Sequence, residues 1–139
     1  MKRGWVYNPH TGGVKIKASD QEGIRRRILA HANRHYARKF TRLDIRFRGA
    51  LCYVDAYTEP DSPSEGLLKA RGENREEYLH FMRNLPTHLC RLRHFGRDDG
   101  WSVAFYTYSN ERYEPSIFHD GSWTGTVEDG FDIGATYLT

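Results

Sequence analysis

The sequence contains none of the short motifs that identify several common nucleotide-binding and hydrolytic enzymes. It has no GxxxxGK[ST] loop, no GxGxxG, no HExxH and no GxSxG. Such patterns cradle phosphates, bind catalytic zinc or expose a nucleophilic serine. Their absence argues against a P-loop nucleotidase, a zinc protease of the HExxH type and an α/β-hydrolase.

Cysteine is scarce: the chain has two, with no CxxC pair and no His/Cys cluster of zinc-finger spacing. Cys52 and Cys90 both lie in apolar, strand-like runs, so we expect two buried reduced thiols. A disulfide between them is the alternative if their strands are neighbours, although two cysteines make a poor secreted framework. The sequence predicts no cofactor and no metal site.

Long apolar runs are also missing. The first residues lack the apolar segment of about 7 to 15 residues found in signal peptides. No window approaches the roughly 20 apolar residues of a membrane span. We therefore expect a cytoplasmic protein without a membrane partner.

The chain does contain enough apolar material for one core. Its 139 residues fit a single domain, and 38% hydrophobic against 28% charged residues is too apolar a balance for a disordered chain. The 14% share of aromatic residues supplies large side chains for that core. We expect one domain over residues 1–139.

Charge is unevenly distributed along the chain. The net charge of +3 is far from the strongly cationic balance of a dedicated nucleic-acid-binding tail. However, residues 1–48 hold thirteen of the 21 lysines and arginines and three of the 18 acidic residues. The first third of the chain is therefore basic, and the remainder is acidic.

The basic third is predicted to contain an arm and a long helix. Residues 1–18 carry turn-forming residues and are interpreted as a basic N-terminal arm. Ser19 and Glu22 have the spacing of a capping box, which predicts a helix from residue 19 to about residue 39. Its buried stripe repeats every four residues and consists of Ile24, Ile28, Ala32, Tyr36 and Phe40.

After residue 41 the apolar period changes from about four to two, which predicts a strand ending near residue 48. A turn at Gly49-Ala50 then leads into a second strand over residues 51–57, so the two segments are predicted to form a hairpin. Alternation assigns one face of the second strand to Cys52, Val54 and Ala56, and the other to Tyr53, Asp55 and Tyr57.

The middle of the chain is predicted to be a surface loop followed by a short helix. Residues 59–72 include Pro60, Pro63 and Gly66 and have no core-forming period, which is typical of a long loop. Asn74 and Glu77 have capping-box spacing and predict a helix that ends before residue 86, a proline.

Three more strands are predicted over residues 88–95, 101–109 and 113–119. Pro115 cannot donate a hydrogen bond to a ladder, so the last of them is expected at the sheet edge. In the central strand, Trp101, Val103 and Phe105 are expected in the core, and Tyr106 and Tyr108 on the other face. A C-terminal helix is predicted after Thr126, with an apolar set at Val127, Phe131, Gly134, Ala135 and Leu138. Together these elements predict an α+β fold: a four- to five-stranded, mainly antiparallel sheet with two or three helices packed on one face.

Candidates for acid-base chemistry are scattered. The seven histidines show no diagnostic spacing, and the i, i+4 pair His31 and His35 has no third metal ligand nominated by the sequence. His94 and His119 lie on predicted strands and, with Glu114, are candidate catalytic residues. The alternative is that these imidazoles are structural or solvent-facing and that the carboxylate pairs with arginines.

Arginines at strand positions give a more coherent pattern. Arg46 and Arg48 lie on one predicted strand, and Arg91 and Arg93 lie on another. Period two places each of these pairs on a single sheet face, where Tyr53 and Tyr57 are expected to join them. Guanidinium groups bond phosphates and aromatic rings stack on bases. With the basic helix included, the candidate nucleic-acid-binding residues are Arg27, Arg34, Arg38, Arg46, Arg48, Arg91, Arg93, Tyr53 and Tyr57. The alternative is that these arginines pair with Asp44 and Asp55 across strands on a solvated outer face.

Three segments, RFRGALCYVDAY at 46–57, WSVAFYTYS at 101–109 and GFDIGA at 130–135, resemble stretches of small uncharacterised bacterial proteins. The resemblance covers most of the chain. It implies a bacterial, cytoplasmic domain and brings no activity and no functional residue with it.

Our leading functional hypothesis is a nucleic-acid-binding or regulatory module that uses the basic helix and the Arg/Tyr sheet face, with DNA or RNA as its partner. One alternative is a small, metal-independent nuclease in which arginines clamp a phosphate while a histidine or a Tyr/Glu pair performs the proton transfers. Another is a protein-interaction subunit that forms a homo-oligomer through its edge strand. Whether the chain is an enzyme stays open at this stage.

Overall fold

The computed structural model describes Asn8 and residues 10–138. The helices are α1 (Ala18–His35), α2 (Glu65–Arg71), α3 (Arg75–Arg83) and α4 (Val127–Gly134), followed by a 3₁₀ turn at Ala135–Tyr137. The strands are β1 (Arg42–Arg48), β2 (Leu51–Tyr57), β3 (Thr87–His94), β4 (Trp101–Thr107) and β5 (Arg112–Ser116). Among the described helices, none is long and apolar enough to cross a membrane.

The five strands form one antiparallel sheet in the order β1-β2-β3-β4-β5. Consecutive strands are neighbours throughout, so the long connection with α2 and α3 also joins adjacent strands. The predicted α+β class and antiparallel sheet are confirmed. β5 lies at the sheet edge, as Pro115 predicted.

The core lies between one sheet face and the two helices α1 and α4. Strand residues such as Val54, Leu92 and Val103 are almost completely buried there. α1 contributes Ile28, and α4 contributes Phe131, both with no exposed surface. The apolar periodicities therefore identified the packed sides of the sheet and of both helices.

Both cysteines lie in this core as free thiols. Cys52 is paired with Leu92 in the β2–β3 ladder, and Cys90 with Val54. Burial raises the pKa of Cys52 to about 12 and raises the pKa of Cys90 as well. The prediction of two buried reduced thiols is confirmed.

The predicted loop over residues 59–72 was wrong in part, because α2 occupies its second half. The Ser64 hydroxyl accepts a hydrogen bond from the Leu67 backbone and caps the helix start. Gly72 ends the helix with φ of 67°, a left-handed conformation that glycine adopts without a steric penalty. The described residues consequently contain four α-helices rather than the expected two or three.

The first helix also differs from its predicted bounds. It begins at Ala18 after an N-cap at Lys17 that makes no side-chain hydrogen bond, so the Ser19 capping box does not form. It ends at His35 instead of near residue 39, because Tyr36 at φ −131° leaves the helical conformation and Arg38 at φ 71° is left-handed. The capping box at the start of α3 is present as predicted, but α3 buries none of its residues.

The predicted N-terminal arm lies partly outside the described residues, which exclude 1–7 and 9. Its described part begins on the sheet face opposite α1, where His10 lies beside Arg91 and Arg93, and then passes one end of the sheet without helix or strand structure before α1. The Val14 backbone N–H donates to the His94 carbonyl at 2.8 Å, and that of Ile16 donates to the Gly49 carbonyl at 2.9 Å. These two bonds attach the segment to the end of β3 and to the β1–β2 turn.

Candidate functional site

The sheet face opposite α1 and α4, which we call the open face, gathers the polar and aromatic side chains of all five strands. Cross-strand pairing sets Arg46 beside Tyr53, and Tyr53 beside Arg91. Tyr113 of β5 pairs with Tyr106 of β4 on the same face. Strand alternation therefore brings together residues from distant parts of the sequence, as expected for one side of a pleated sheet.

At the centre of the open face is a buried carboxylate with two cationic or imidazole partners. Asp55 is 2% exposed. Its Oδ1 lies 2.9 Å from Nδ1 of His88, and its Oδ2 accepts a hydrogen bond of 2.9 Å from the Arg46 guanidinium. The same guanidinium nitrogen donates to Asp44 at 3.0 Å. A buried carboxylate needs such partners, because an unpaired buried charge is strongly unfavourable.

The pairing fixes the chemistry of His88. An ionised carboxylate only accepts hydrogen bonds, so the hydrogen of the ring lies on Nδ1, and Nε2 carries the basic lone pair when the ring is neutral. No hydrogen bond within the described structure engages Nε2, and the His88 side chain is 34% exposed. The arrangement is an Asp–His pair whose outer nitrogen is available to a ligand.

Three tyrosines, Tyr106, Tyr108 and Tyr113, surround His88, and Tyr53 contacts the Tyr113 ring; we call these four the tyrosine cluster. The ring centroid of Tyr106 lies 4.7 Å from that of His88. The Tyr108 ring is stacked parallel to the imidazole at 6.3 Å, and its hydroxyl accepts a hydrogen bond of 2.7 Å from the His88 backbone. These contacts hold the imidazole between aromatic walls.

Burial and the nearby Asp55 charge raise the pKa of Tyr113, so this phenol is protonated at neutral pH. Burial also raises the pKa of Tyr108. Burial would lower the pKa of the Arg46 guanidinium, but its hydrogen bonds to Asp55 and Asp44 outweigh that effect and leave the pKa raised. Tyr108 and Tyr113 thus present neutral hydroxyls near the imidazole, and Arg46 places a permanent cation on the other oxygen of Asp55.

The remaining arginines of the open face differ in how they are engaged. Arg91 lies over the Tyr113 ring at 5.3 Å and has no acidic partner among the described residues. Arg93 donates to the Gly12 carbonyl at 2.9 Å. Arg48 is exposed at the end of β1, and Arg42, also exposed, lies 3.6 Å from the ring centre of Tyr57. Cross-strand pairing with aspartate, the alternative interpretation of these arginines, applies to Arg46 alone.

The candidate arginines of the first helix lie away from this face. α1 packs against the opposite side of the sheet, so Arg27 and Arg34 are separated from the strand arginines by the sheet itself. Arg38 lies in the turn after α1, beside a cavity lined by residues 39–41 and 58–61. Arg27 is further engaged in a bidentate pair with Glu128, at 2.9 and 2.7 Å, and in an ion pair with Asp98. The predicted binding residues therefore do not form one continuous surface.

The three predicted catalytic candidates are also dispersed. The His94 ring lies tilted against Trp101, with the centroids 4.5 Å apart, beside a groove at the start of α1, and burial lowers the pKa of His94. His119 lines a different cavity after β5. Glu114, on the helix-covered side of the edge strand, bonds Asn110 and Arg112. Within the described part of the chain, no hydrogen bond, ion pair or ring contact joins any two of them.

The histidine that sequence reasoning missed is His88. Cys90 and Leu92 belong to the core, so strict alternation would put His88 in the core with them. The β2–β3 register shifts between Val54 and Asp55, a bulge that leaves Leu89 without a ladder partner. The bulge turns His88 to the open face. In the sequence, the bulge is indicated only by the two adjacent apolar residues at 89 and 90.

Metal ligands do not converge elsewhere either. His31 and His35 are neighbours with ring centroids 4.6 Å apart, but His31 Nε2 lies 2.7 Å from an Asp132 oxygen that also accepts from the Tyr36 hydroxyl. Across the described residues, no group of three or more histidine, cysteine or acidic side chains is arranged to hold a metal ion.

Comparison with known protein families, with curated proteins and with solved structures finds no match for this chain.

Proposed function

We propose that the open face binds single-stranded nucleic acid. The observation that carries the proposal is the position of Arg91, an arginine without an acidic partner in the described structure, beside the tyrosine cluster. Guanidinium groups bond phosphate oxygens, and each aromatic ring offers a surface on which any base stacks, for about 1 to 3 kcal/mol per base. The proposal places the protein in the cytoplasm, where it would meet RNA.

The arrangement favours a single strand over a duplex. The bases of a duplex are stacked on one another, so tyrosine rings reach them only where strands are unpaired or splayed. The open face is a sheet surface rather than a protruding helix, and major-groove recognition commonly uses a helix or a two-stranded ribbon. A short RNA or DNA strand laid across β2 to β5 would meet arginine and tyrosine side chains in turn.

The first test is binding of a fluorescein-labelled 12-nucleotide single strand, followed by fluorescence anisotropy as the salt concentration is raised. Binding should weaken steeply with salt, since each neutralised phosphate contributes about −0.7 to the slope of log K against log salt for a single strand. Absence of binding to both RNA and DNA at low salt would contradict the proposal.

A matched pair of variants locates the surface. Arg91→Gln removes one charge from the open face, and Arg34→Gln removes one exposed charge from α1 on the other side of the sheet. We expect Arg91→Gln to weaken binding and to reduce the salt slope by about 0.7, and Arg34→Gln to change neither. Equal losses in the two variants would mean that general positive charge, not the open face, holds the strand.

A third variant tests stacking. Tyr53→Leu keeps an apolar side chain on the open face but removes the ring, and it should weaken binding at least about 5-fold if one base stacks there. The effect should persist at high salt, because stacking does not depend on released counterions. Unchanged affinity in Tyr53→Leu would remove the aromatic part of the proposal.

A further inference from the structure

The Asp55–His88 pair gives the open face a chemical capacity that binding alone does not require. Both oxygens of Asp55 are occupied, one by His88 and one by Arg46, so the carboxylate orients the ring and is not itself free to act as a nucleophile. What it leaves exposed is the basic Nε2 of His88. A buried carboxylate that fixes the tautomer of a partly exposed imidazole is a common arrangement for general-base catalysis.

The nearby protein groups do not supply a nucleophile for such a base. Burial raises the pKa of Cys52 and of Cys90, and both thiols lie on the opposite side of the sheet. The phenol of Tyr113 is kept protonated by burial and by the Asp55 charge. The nucleophile that His88 activates is then either water or a group that the substrate carries. RNA carries such a group, the 2′-hydroxyl, beside every phosphodiester.

We propose that the open face is a ribonuclease site in which His88 is the general base for attack of an RNA 2′-hydroxyl on the adjacent phosphodiester. This inference rests on the proposed binding of single-stranded nucleic acid. Arg91, which has no acidic partner in the described structure, is the cation of the same face that would meet the phosphate. Asp55, held also by Arg46, is the positioning residue that holds the His88 tautomer. DNA, which lacks the 2′-hydroxyl, binds the same face and is not cleaved.

The step balances without any further reactant. Nε2 of His88 takes the proton of the 2′-hydroxyl while the 2′-oxygen forms a bond to phosphorus. The bond between phosphorus and the 5′-oxygen breaks, its electron pair goes to that oxygen, and the oxygen takes a proton from water. His88 returns its proton to solvent. The products are a 2′,3′-cyclic phosphate and a 5′-hydroxyl, and arginine stabilises the charge that develops on the phosphoryl oxygens.

The experiment uses the full chain in excess over a labelled 12-nucleotide RNA, with cleavage followed on denaturing gels and the product end identified by mass. The same sequence as DNA and as fully 2′-O-methylated RNA measures binding without the attacking hydroxyl. His88→Gln is compared with His80→Gln, an exposed histidine on α3, prepared in parallel. Contaminating nuclease would cleave equally in both preparations.

We expect the parent protein and His80→Gln to yield the cyclic phosphate at the same rate, and His88→Gln to be at least about 100-fold slower, the usual contribution of a general base. All three should bind the 2′-O-methyl strand with affinities within about 2-fold. Intact binding without cleavage would overturn the inference and leave the proposed function standing. Loss of all binding in the parent protein would overturn both. Cleavage of DNA, or an equal rate in His88→Gln, would assign the reaction to another group.

Asp55→Asn provides a second variant if His88→Gln does not fold, since the amide keeps the size of the carboxylate. Its NH₂ group in the place of Oδ1 would donate to Nδ1, which moves the ring hydrogen to Nε2 and removes the base. The cleavage rate at saturating protein should fall at least about 100-fold while the half-saturating protein concentration changes little. If the half-saturating concentration rose while the cleavage rate at saturation stayed the same, Asp55 would have a purely structural role.

Discussion

Two glycine-to-alanine substitutions in helices should change stability in opposite directions. Gly134 ends α4, and a Cβ atom there would lie 2.7 Å from the Leu89 carbonyl oxygen and 2.8 Å from its carbon. These are backbone atoms of β3, which no side-chain rotation relieves. Gly23 lies within α1, where an added Cβ would meet no atom within 4 Å.

The magnitudes follow from these distances. At Gly23 the helix gains up to about 1 kcal/mol from the better helix propensity of alanine. At Gly134 the same gain is outweighed by overpacking, which typically costs about 1 to 3 kcal/mol and here separates α4 from the sheet. We expect Gly23→Ala to be more stable than the parent protein by about 0.5 to 1 kcal/mol, and Gly134→Ala to be less stable by about 1 to 2 kcal/mol.

Urea unfolding followed by circular dichroism measures both. With a slope m near 2 kcal/mol/M, the midpoint should rise by roughly 0.4 M for Gly23→Ala and fall by roughly 0.7 M for Gly134→Ala, at unchanged m. If Gly134→Ala matched or exceeded the parent protein in stability, α4 would not approach the β3 backbone as closely as described. If Gly23→Ala were less stable than the parent protein, the α1 surface around Gly23 would be covered by other parts of the chain.

Two further predictions concern charge and burial. The hydrogen bonds from Arg27 lower the pKa of Glu128 below its ordinary 4.5, so this pair stabilises the fold above that pH and is lost as pH falls through the lowered value. Glu128→Gln should therefore reduce the free energy of unfolding more at about pH 6 than at about pH 3.5, and an equal effect at both would contradict the assignment. Because burial raises the pKa of Cys52 to about 12 and raises that of Cys90 too, iodoacetamide at about pH 8 should leave both thiols unmodified in the native protein and alkylate both in urea. Rapid alkylation of the native protein, seen by mass spectrometry, would mean that the core opens readily.

The sequence predicts most of the fold because the local signals agree with the tertiary structure. The change from a period of four to a period of two marks the end of α1 and the start of β1, and the Asn74 capping box marks the start of α3. The α2 helix was missed although its signals were present. Ser64 caps it and Gly72 ends it, but the prolines before it indicated a loop, and seven residues are too few to show an amphipathic period.

The candidate site was predicted only in part, for two physical reasons. Period two correctly associates Tyr53 with the strand arginines, but the side of the sheet on which α1 packs is a tertiary property, so Arg27 was grouped with residues that lie across the sheet from it. The pairing of Asp55 with His88 depends on the β-bulge. A bulge inserts one residue into one strand and reverses the facing of those beyond it, and periodicity alone does not locate it.

The same bulge connects the core to the candidate site. Its extra residue, Leu89, is fully buried, and its carbonyl oxygen lies 2.7 Å from the position that a Cβ on Gly134 would take. Its neighbour His88 faces the opposite side of the sheet, where the Tyr108 hydroxyl and Asp55 fix its backbone and its ring. The β-bulge at Leu89 therefore determines two features: how closely α4 packs at Gly134 and how the His88 imidazole is oriented. The Gly134→Ala substitution should therefore weaken the Asp55–His88 arrangement as well as the fold, although Gly134 lies on the far side of the sheet from any bound strand. For this reason Gly23→Ala, and not Gly134→Ala, is the suitable stabilised background for measurements on the open face.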